Sequence, residues 1–290
     1  MNVISLFNGM GTLRQALADL NIKVGKYYSS EIKPYANELQ QYHFPDVIQV
    51  GSILNWKQWN IDWKTIDFVG SGSPCQDLSI AGKRAGINGS RSSLFWVFIE
   101  ILNHIKKLNP NVLFLQENVG SASKLDIGIM SRALGLYPTR INSKLLTAQL
   151  RDRYYWTNIK TKQSLFDTIT DIPQPKDKGI MLKDIIENGK ALSKKHCCLT
   201  ERYFSAYTFS NFDSVIAQKY LYKRFKYKGL ITLIEKLNGK YRLITQNEAE
   251  LLQGFPSGYT NILNITKAGS LLGDGWTLPV IIHILQYMKK

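Results

Sequence analysis

The sequence predicts an α/β protein: a parallel, doubly wound sheet of Rossmann type with helices on both faces, joined to a smaller second lobe. Three observations carry that expectation. Short apolar runs alternate with stretches of helical periodicity through the first half of the chain, the mark of strand–helix–strand units. The polar and glycine-bearing motifs of that half fall just past the apolar runs, where such sheets bind ligands. Beyond about Ile159 the alternation gives way to a basic, aromatic-rich stretch with no clear period.

The elements follow in order. Val3 to Phe7 reads as a buried strand that ends in Asn8-Gly9-Met10-Gly11. Leu13, Ala16, Leu17 and Leu20 then recur at helical spacing. Val24 to Ser29 reads as a second strand and Pro34 to Tyr42 as a helix. Asp67 to Gly70 is a strand running into Gly72-Ser73-Pro74-Cys75. Leu94 to Leu108 has a strong amphipathic helix pattern, stopped by Asn109-Pro110. Val112 to Leu115 is a buried strand followed at once by Gln116-Glu117-Asn118-Val119. Asp171 to Gly179, rich in Pro, Lys and Asp, reads as a linker. A short strand signal returns at Leu230 to Leu233, and Trp276 to Met288 reads as a strand or helix with a buried face.

With 290 residues, 44% of them hydrophobic, the chain can bury one large core and a lesser one. The N-terminus lacks the basic flank of a secretory leader. The apolar run Leu278 to Leu285 is broken by Pro279 and His283 and falls short of the roughly 20 residues a membrane span requires. A soluble, intracellular protein without a membrane partner is expected. Its three cysteines make no disulfide framework. His196-Cys197-Cys198 lacks the second pair that a structural zinc site needs, so no metal is expected. The net charge of +15 points to a polyanionic partner. The charge is concentrated: residues 160–242 hold 17 basic against 8 acidic side chains, residues 243–290 only 3 of each.

Gly9 and Gly11, between a strand and a helix, allow close backbone approach to a ligand. Glu31, ending the next strand, stands where an acid binds ribose hydroxyls, although an exposed loop acid would look the same. Together they point to a nucleoside-containing cofactor. Cys75 sits on a turn among small and polar residues. A lone cysteine is more often structural, but Glu117, from a neighbouring strand end, is placed to face it. A carboxyl group there can hold a proton near neutrality and bond a ring nitrogen.

With these residues in order, the sequence resembles the cytosine carbon-5 DNA methyltransferase family over nearly its whole length. Phe7 to Gly11 resembles the family's cofactor loop, and Glu31 its ribose-binding acid. Gly72 to Ser79 resembles the catalytic loop, and Gly82 to Leu94 the mobile arm that closes on DNA. Glu117-Asn118-Val119 resembles the cytosine-binding tripeptide, and Gln149-Leu150-Arg151-Asp152-Arg153 the Gln-x-Arg-x-Arg signature. Gly273 to Val280 resembles the last cofactor-side motif. Two positions depart: Ser52 stands where many relatives carry an acid for the adenine amine, and Asp274 where asparagine is usual.

The resemblance implies a Rossmann-like class I methyltransferase sheet plus a target-recognition domain. The implied parts are a catalytic and cofactor-binding domain over 1–165, a recognition domain over 166–262 and a returning segment over 263–290. It implies S-adenosylmethionine as cofactor, contacted by Phe7, Gly9, Gly11, Glu31, Ile53, Pro74, Leu94 and Trp276. It implies Cys75, Glu117, Arg151 and Arg153 as the catalytic set, and Ser79, Arg91, Thr232 and Leu233 as DNA-binding. The expected partner is double-stranded DNA, read over two to four base pairs with the target cytosine flipped out. A monomer in the cytoplasm, on a prokaryotic or phage nucleoid, is expected. A transfer-RNA methyltransferase of the same family, or an inactive DNA-binding paralogue, are the alternatives.

Overall fold

A computed structural model describes residues 1–74, 94–201, 203–204, 214–228 and 232–288. The chain divides into two compact units. Unit 1 holds Met1–Ile141, Asp152–Gln174 and Ile281–Lys290; unit 2 holds Asn142–Arg151 and Pro175–Val280.

Unit 1 is built on a seven-stranded sheet of order β3-β2-β1-β4-β5-β7-β6. In chain order its strands are β1 (Asn2–Leu6), β2 (Tyr27–Ser30), β3 (Val47–Gln49), β4 (Ile66–Ser71), β5 (Leu113–Val119), β6 (Thr139–Asn142) and β7 (Asp152–Thr157). Helices α1 (Thr12–Asp19), α2 (Pro34–His43) and α3 (Leu94–Leu108) link β1 to β2, β2 to β3 and β4 to β5; α4 (Lys124–Leu134) follows β5. The first five strands run parallel. The chain starts at β1, works outward to β3, then returns to β4 on the other side of β1. With right-handed crossovers this reversal puts helices on both faces and opens a crevice at the carboxyl ends of β1 and β4.

The expected all-parallel sheet is corrected at one edge: β7 pairs antiparallel with β5, Glu117 opposite Tyr155 and Val119 opposite Arg153. Both faces of β7 are covered toward its end, where Tyr155, Trp156 and Thr157 are all buried. Its sequence therefore lacks the alternation that would reveal a strand. A small hairpin, β8 (Thr161–Gln163) with β9 (Thr168–Thr170), follows.

The core forms where the helical and strand periods agree. Phe95, Phe98, Ile99, Leu102 and Ile105 line one face of α3 and pack with Ile4, Leu6, Val69 and Phe114 of the sheet. Each such side chain contributes about 1.5–3 kcal/mol on burial.

Unit 2 carries β10 (Lys190–Ala191), β11 (Ile234–Glu235) and β12 (Tyr241–Arg242) in a three-stranded antiparallel sheet. Helices α5 (Val215–Lys228), α6 (Gln246–Gln253) and α7 (Ile265–Asp274) belong to it. Thr245 and Glu248 form a capping box at the start of α6, the arrangement that satisfies two orphan N–H groups at once. Of the strand signal at 230–233, Leu230 and Ile231 lie outside the described residues; Thr232 and Leu233 are irregular and β11 begins at Ile234. The last segment is helical, α8 (Leu278–Leu285). The apolar stretch from Ile265 to Leu285 is thus two helices of 10 and 8 residues, each too short to span a bilayer.

Candidate active site

The loop after β1 is held in a conformation that glycine makes possible. Phe7, Gly9 and Gly11 have φ of 56°, 57° and 82°. Phe7 has no glycine to relieve it, and a left-handed residue with a side chain costs on the order of 1 kcal/mol. Its ring is anchored against the same core cluster as Leu94, the first residue of α3. Among the described residues nothing lies within 4 Å of where a side chain at Gly9 would stand, which leaves room for a ligand on that side.

Glu31 follows β2. Its Oε2 accepts from Gly9 N–H at 2.8 Å, and its Oε1 from the N–H groups of Ile32 and Lys33 at 2.8 and 2.9 Å. The carboxylate is fixed by backbone and keeps lone pairs for a hydroxyl donor. Past β3, Ser52 Oγ accepts from Leu54 N–H at 3.4 Å and caps the 3-10 turn Ile53–Gln58. Ile53 is buried. Ile32 and Leu54, which follow β2 and β3, are bare at 73% and 66% exposure. Sequence reasoning passed over both, although an isoleucine directly after a strand-end acid is a readable signal. A cradle without side chains at Gly9, a carboxylate and bare apolar side chains fit the ribose and flat base of a nucleoside.

Phe7, Gly9, Gly11, Glu31, Ile53 and Pro74 thus all follow strands β1 to β4 at one end of the sheet. Trp276 belongs to unit 2. Cys75, Ser79 and Arg91 lie outside the described residues.

At the same sheet end, Ser73 Oγ accepts from Gln116 Nε2 at 2.9 Å and from Asn118 Nδ2 at 3.3 Å. This ties the exit of β4, two residues before Cys75, to β5. Glu117 and Asn118 are successive strand residues and so point to opposite faces. Asn118 secures the loop, while Glu117 Oε1 meets Arg153 Nε at 2.8 Å. Both side chains are only 11% and 13% exposed, which strengthens their attraction beyond that of a surface pair.

Arg151 has a different place from Arg153. It belongs to unit 2, is buried, and touches no carboxylate among its described partners. Its Nη1 donates to Leu199 O and Gly273 O at 3.1 Å and to Cys198 Sγ at 3.4 Å; its Nη2 donates to Gly275 O at 2.8 Å. The acceptors at Gly273 and Gly275 are the carbonyl end of α7, where a cation is favoured. Gln149 completes this knot, accepting from Leu199 N–H at 2.9 Å and donating to Leu252 O at 3.3 Å. Arg151, placed in the catalytic set as a group that helps order the loop, makes its described hydrogen bonds within its own unit.

Thr232 and Leu233, expected to touch DNA, are held inside unit 2. Both are buried, at 3% and 0% exposure. Thr232 Oγ1 accepts from Cys197 N–H at 3.1 Å and Thr232 O from Tyr203 Oη–H at 3.2 Å. They brace unit 2 from within. The 14 residues of α5 include five Lys or Arg and no acid. Lys219 and Lys223, one turn apart, are exposed beside Tyr220 and Tyr222.

His196 is fully buried. Desolvation pushes its imidazole down to about 4, although the Cys197 carbonyl and Glu248 oppose the shift. It is neutral at physiological pH, with Nδ1 against Cys197 O and Nε2 against Tyr203 Oη. No group of three or more His, Cys, Asp or Glu able to hold a metal ion occurs among the described residues. His196-Cys197-Cys198 belongs to the fabric of unit 2.

Comparison with known proteins agrees with this geometry. The family model for C-5 cytosine-specific DNA methylase matches residues 1–133. The chain is 29% identical to the Type II methyltransferase M1.ScrFI of Lactococcus lactis subsp. cremoris, across 99% of this chain and 78% of that protein. It is 23% identical to the Type II methyltransferase M.HhaI of Haemophilus parahaemolyticus, across 99% and 93%. The solved structure of the Entamoeba histolytica methyltransferase EhMeth shares the fold, with a TM-score of 0.66 at 20% identity over 99% of this chain and 97% of that one. With the glycine loop, its strand-end acid and the Glu117–Arg153 pair in the expected order, the chain has the Rossmann-like class I methyltransferase fold, and the family model and the Type II relatives support its place in the C-5 cytosine-specific DNA methylase family, with S-adenosylmethionine as cofactor.

Proposed function

We propose that the chain methylates carbon 5 of a cytosine flipped out of a short duplex DNA target, with Cys75 as covalent nucleophile. The observation that carries this reading is the double hydrogen bond from Gln116 and Asn118 to Ser73. It ties Ser73, two positions before Cys75 in the sequence, to β5, the strand that carries Glu117 and pairs with the strand of Arg153.

In this reading the Cys75 thiolate adds to carbon 6, and the electron pair of the 5,6 double bond moves into the ring. Glu117 bonds ring nitrogen 3 and stabilises the enamine-like species. Arg153, already bonded to Glu117, holds that carboxyl group in place and contacts the cytosine carbonyl. S-adenosylmethionine supplies an electrophilic methyl group when bound. Carbon 5, now nucleophilic, would take that methyl group, the bond to sulfur breaking with its electron pair kept by the sulfur, which leaves as a neutral thioether. Loss of the carbon-5 proton to a base and of Cys75 from carbon 6 then restores the ring. Covalent addition splits one difficult step into easier ones. Glu31 holds the ribose, and Phe7, Gly9, Gly11, Ile53, Pro74, Leu94 and Trp276, with Ile32 and Leu54, enclose the rest of the cofactor.

The basic face of α5, with Ser79 and Arg91, contacts the DNA backbone; charge complementarity with phosphate supports this. Residues 1–165 form the catalytic domain, 166–262 the recognition domain, and 263–290 return toward the first. The protein acts as a monomer in the cytoplasm of a prokaryote or on phage DNA, as the bacterial Type II relatives favour.

Incubation with duplex DNA containing 5-fluorocytosine and cofactor tests the chemistry, because fluorine cannot leave as the proton does. A covalent adduct is expected with the wild-type chain and none with Cys75→Ser. Absence of an adduct on every cytosine-containing duplex would overturn the catalytic reading. Methyl incorporation into transfer RNA alone, with none into duplex DNA, would overturn the substrate.

A further inference from the structure

Beneath the glycine loop lies a buried polar network with no part in binding the base. Gln40, on α2, is 1% exposed. Its Nε2 donates to Gly9 O at 2.6 Å. Its Oε1 accepts from Ser29 Oγ–H at 2.7 Å and from Gln49 Nε2 at 3.0 Å. Ser29 Oγ accepts in turn from Asn8 Nδ2 at 3.0 Å, and Asn8 Oδ1 accepts from Tyr27 Oη–H at 2.9 Å. Burial raises the Tyr27 phenol further above its ordinary value, so it stays a donor.

The consequence falls on Gly9. Its N–H is held by Glu31 and its carbonyl by Gln40, so the residue is clamped on both sides in its left-handed conformation. Asn8, the residue before it, is fastened from below by Tyr27 and Ser29. The clamp is costly to build: a buried glutamine forfeits solvation and repays it only if its amide is bonded. An apolar side chain at this position would cover the strands at no such cost. Gln40 falls with Ala36 and Leu39 on the buried face of α2, so its polarity sets it apart there.

We propose that Gln40 is a positioning residue for the cofactor, with Ser29, Asn8 and Tyr27 as its supports. It acts by fixing the Gly9 peptide before the ligand arrives. A loop already ordered in its binding conformation spares the cofactor the cost of ordering it. The inference rests on the reading of Phe7 to Gly11 and Glu31 as the S-adenosylmethionine site.

Calorimetric titration of S-adenosylmethionine into the full chain, alongside steady-state kinetics, tests it. Gln40→Leu is expected to weaken cofactor binding about tenfold and to raise the KM for cofactor in proportion. Its kcat at saturating cofactor should stay within about threefold of wild type. Gln40→Glu, which keeps the acceptor but loses the donor to Gly9 O, should weaken binding as much. Ser29→Ala removes one support and should weaken binding about threefold, serving if Gln40→Leu fails to fold. Folded Gln40 or Ser29 variants that bind cofactor like wild type would overturn the proposal, as would equal loss of kcat with KM unchanged. Glu31→Ala distinguishes the premise: if it too binds like wild type, the cofactor site itself is misplaced.

Discussion

Arg153 Nε lies 2.8 Å from Glu117 Oε1 across the antiparallel β5–β7 pair, on the face where Val119 and Tyr155 also stand. The register puts the two residues diagonally opposite, within reach of a long side chain. Glu117→Gln is expected to lower kcat for methyl transfer by about 10²–10³, the scale for losing one group that stabilises developing charge. Arg153→Ala should do the same in part. A double-mutant cycle on kcat/KM should return a coupling of about 1–3 kcal/mol. Strict additivity would show that the pair is not a unit in the reaction.

Arg151 predicts a different phenotype. Arg151→Ala leaves the carbonyls of Leu199, Gly273 and Gly275 without their shared donor. A loss of about 3–5 kcal/mol in unfolding free energy is expected by urea denaturation. Arg151→Lys should recover only part, because an ammonium cannot present the guanidinium fork. A stable Arg151→Ala chain with activity lost would return this residue to the catalytic set.

His196 makes unit 2 sensitive to acid. The unfolded imidazole takes a proton below about 6.5, the folded one only below about 4. Between those values the unfolded state binds more protons, so stability falls as pH drops from 6.5 to 4 and is level above that window. The loss is on the order of 3 kcal/mol. The groups that face the ring are Tyr203, Cys197 and, through its charge, Glu248. The melting temperature should decline across this window in the wild type and decline less in His196→Gln.

Lys219 and Lys223 on α5 are predicted to meet phosphates. Replacing both with Gln should weaken binding to duplexes of any sequence and reduce the slope of log K against log salt by about 1.8, roughly 0.9 for each lost contact. A change confined to one target sequence would mean that these lysines read bases.

Much of unit 1 was legible because its strands and helices keep clean periods. α3 runs from Leu94 to Leu108, as its apolar spacing requires. β7 was not legible, since a strand covered on both faces shows no alternation. Thr232-Leu233 is a different case: a β-branched residue beside an apolar one suits a buried segment, and both are buried. Gln40 carried a usable signal that was overlooked. A glutamine at the position of Ala36 plus four, on the core-facing side of a helix, has to be bonded to something. The difference between Arg151 and Arg153 has no counterpart in the sequence. Two arginines at a spacing of two look alike until their partners are known.

That spacing has an evolutionary consequence. The chain passes from unit 2 to unit 1 between Arg151 and Asp152, with Arg151 committed to one unit and Arg153 to the other. Because strand faces alternate with every residue, inserting or deleting a single residue at Asp152 would carry the arginine to the face of Tyr154, away from Glu117. Loops elsewhere in either unit can lengthen or shrink at little cost. Length variation among natural variants should therefore leave this joint untouched while it remodels everything around it.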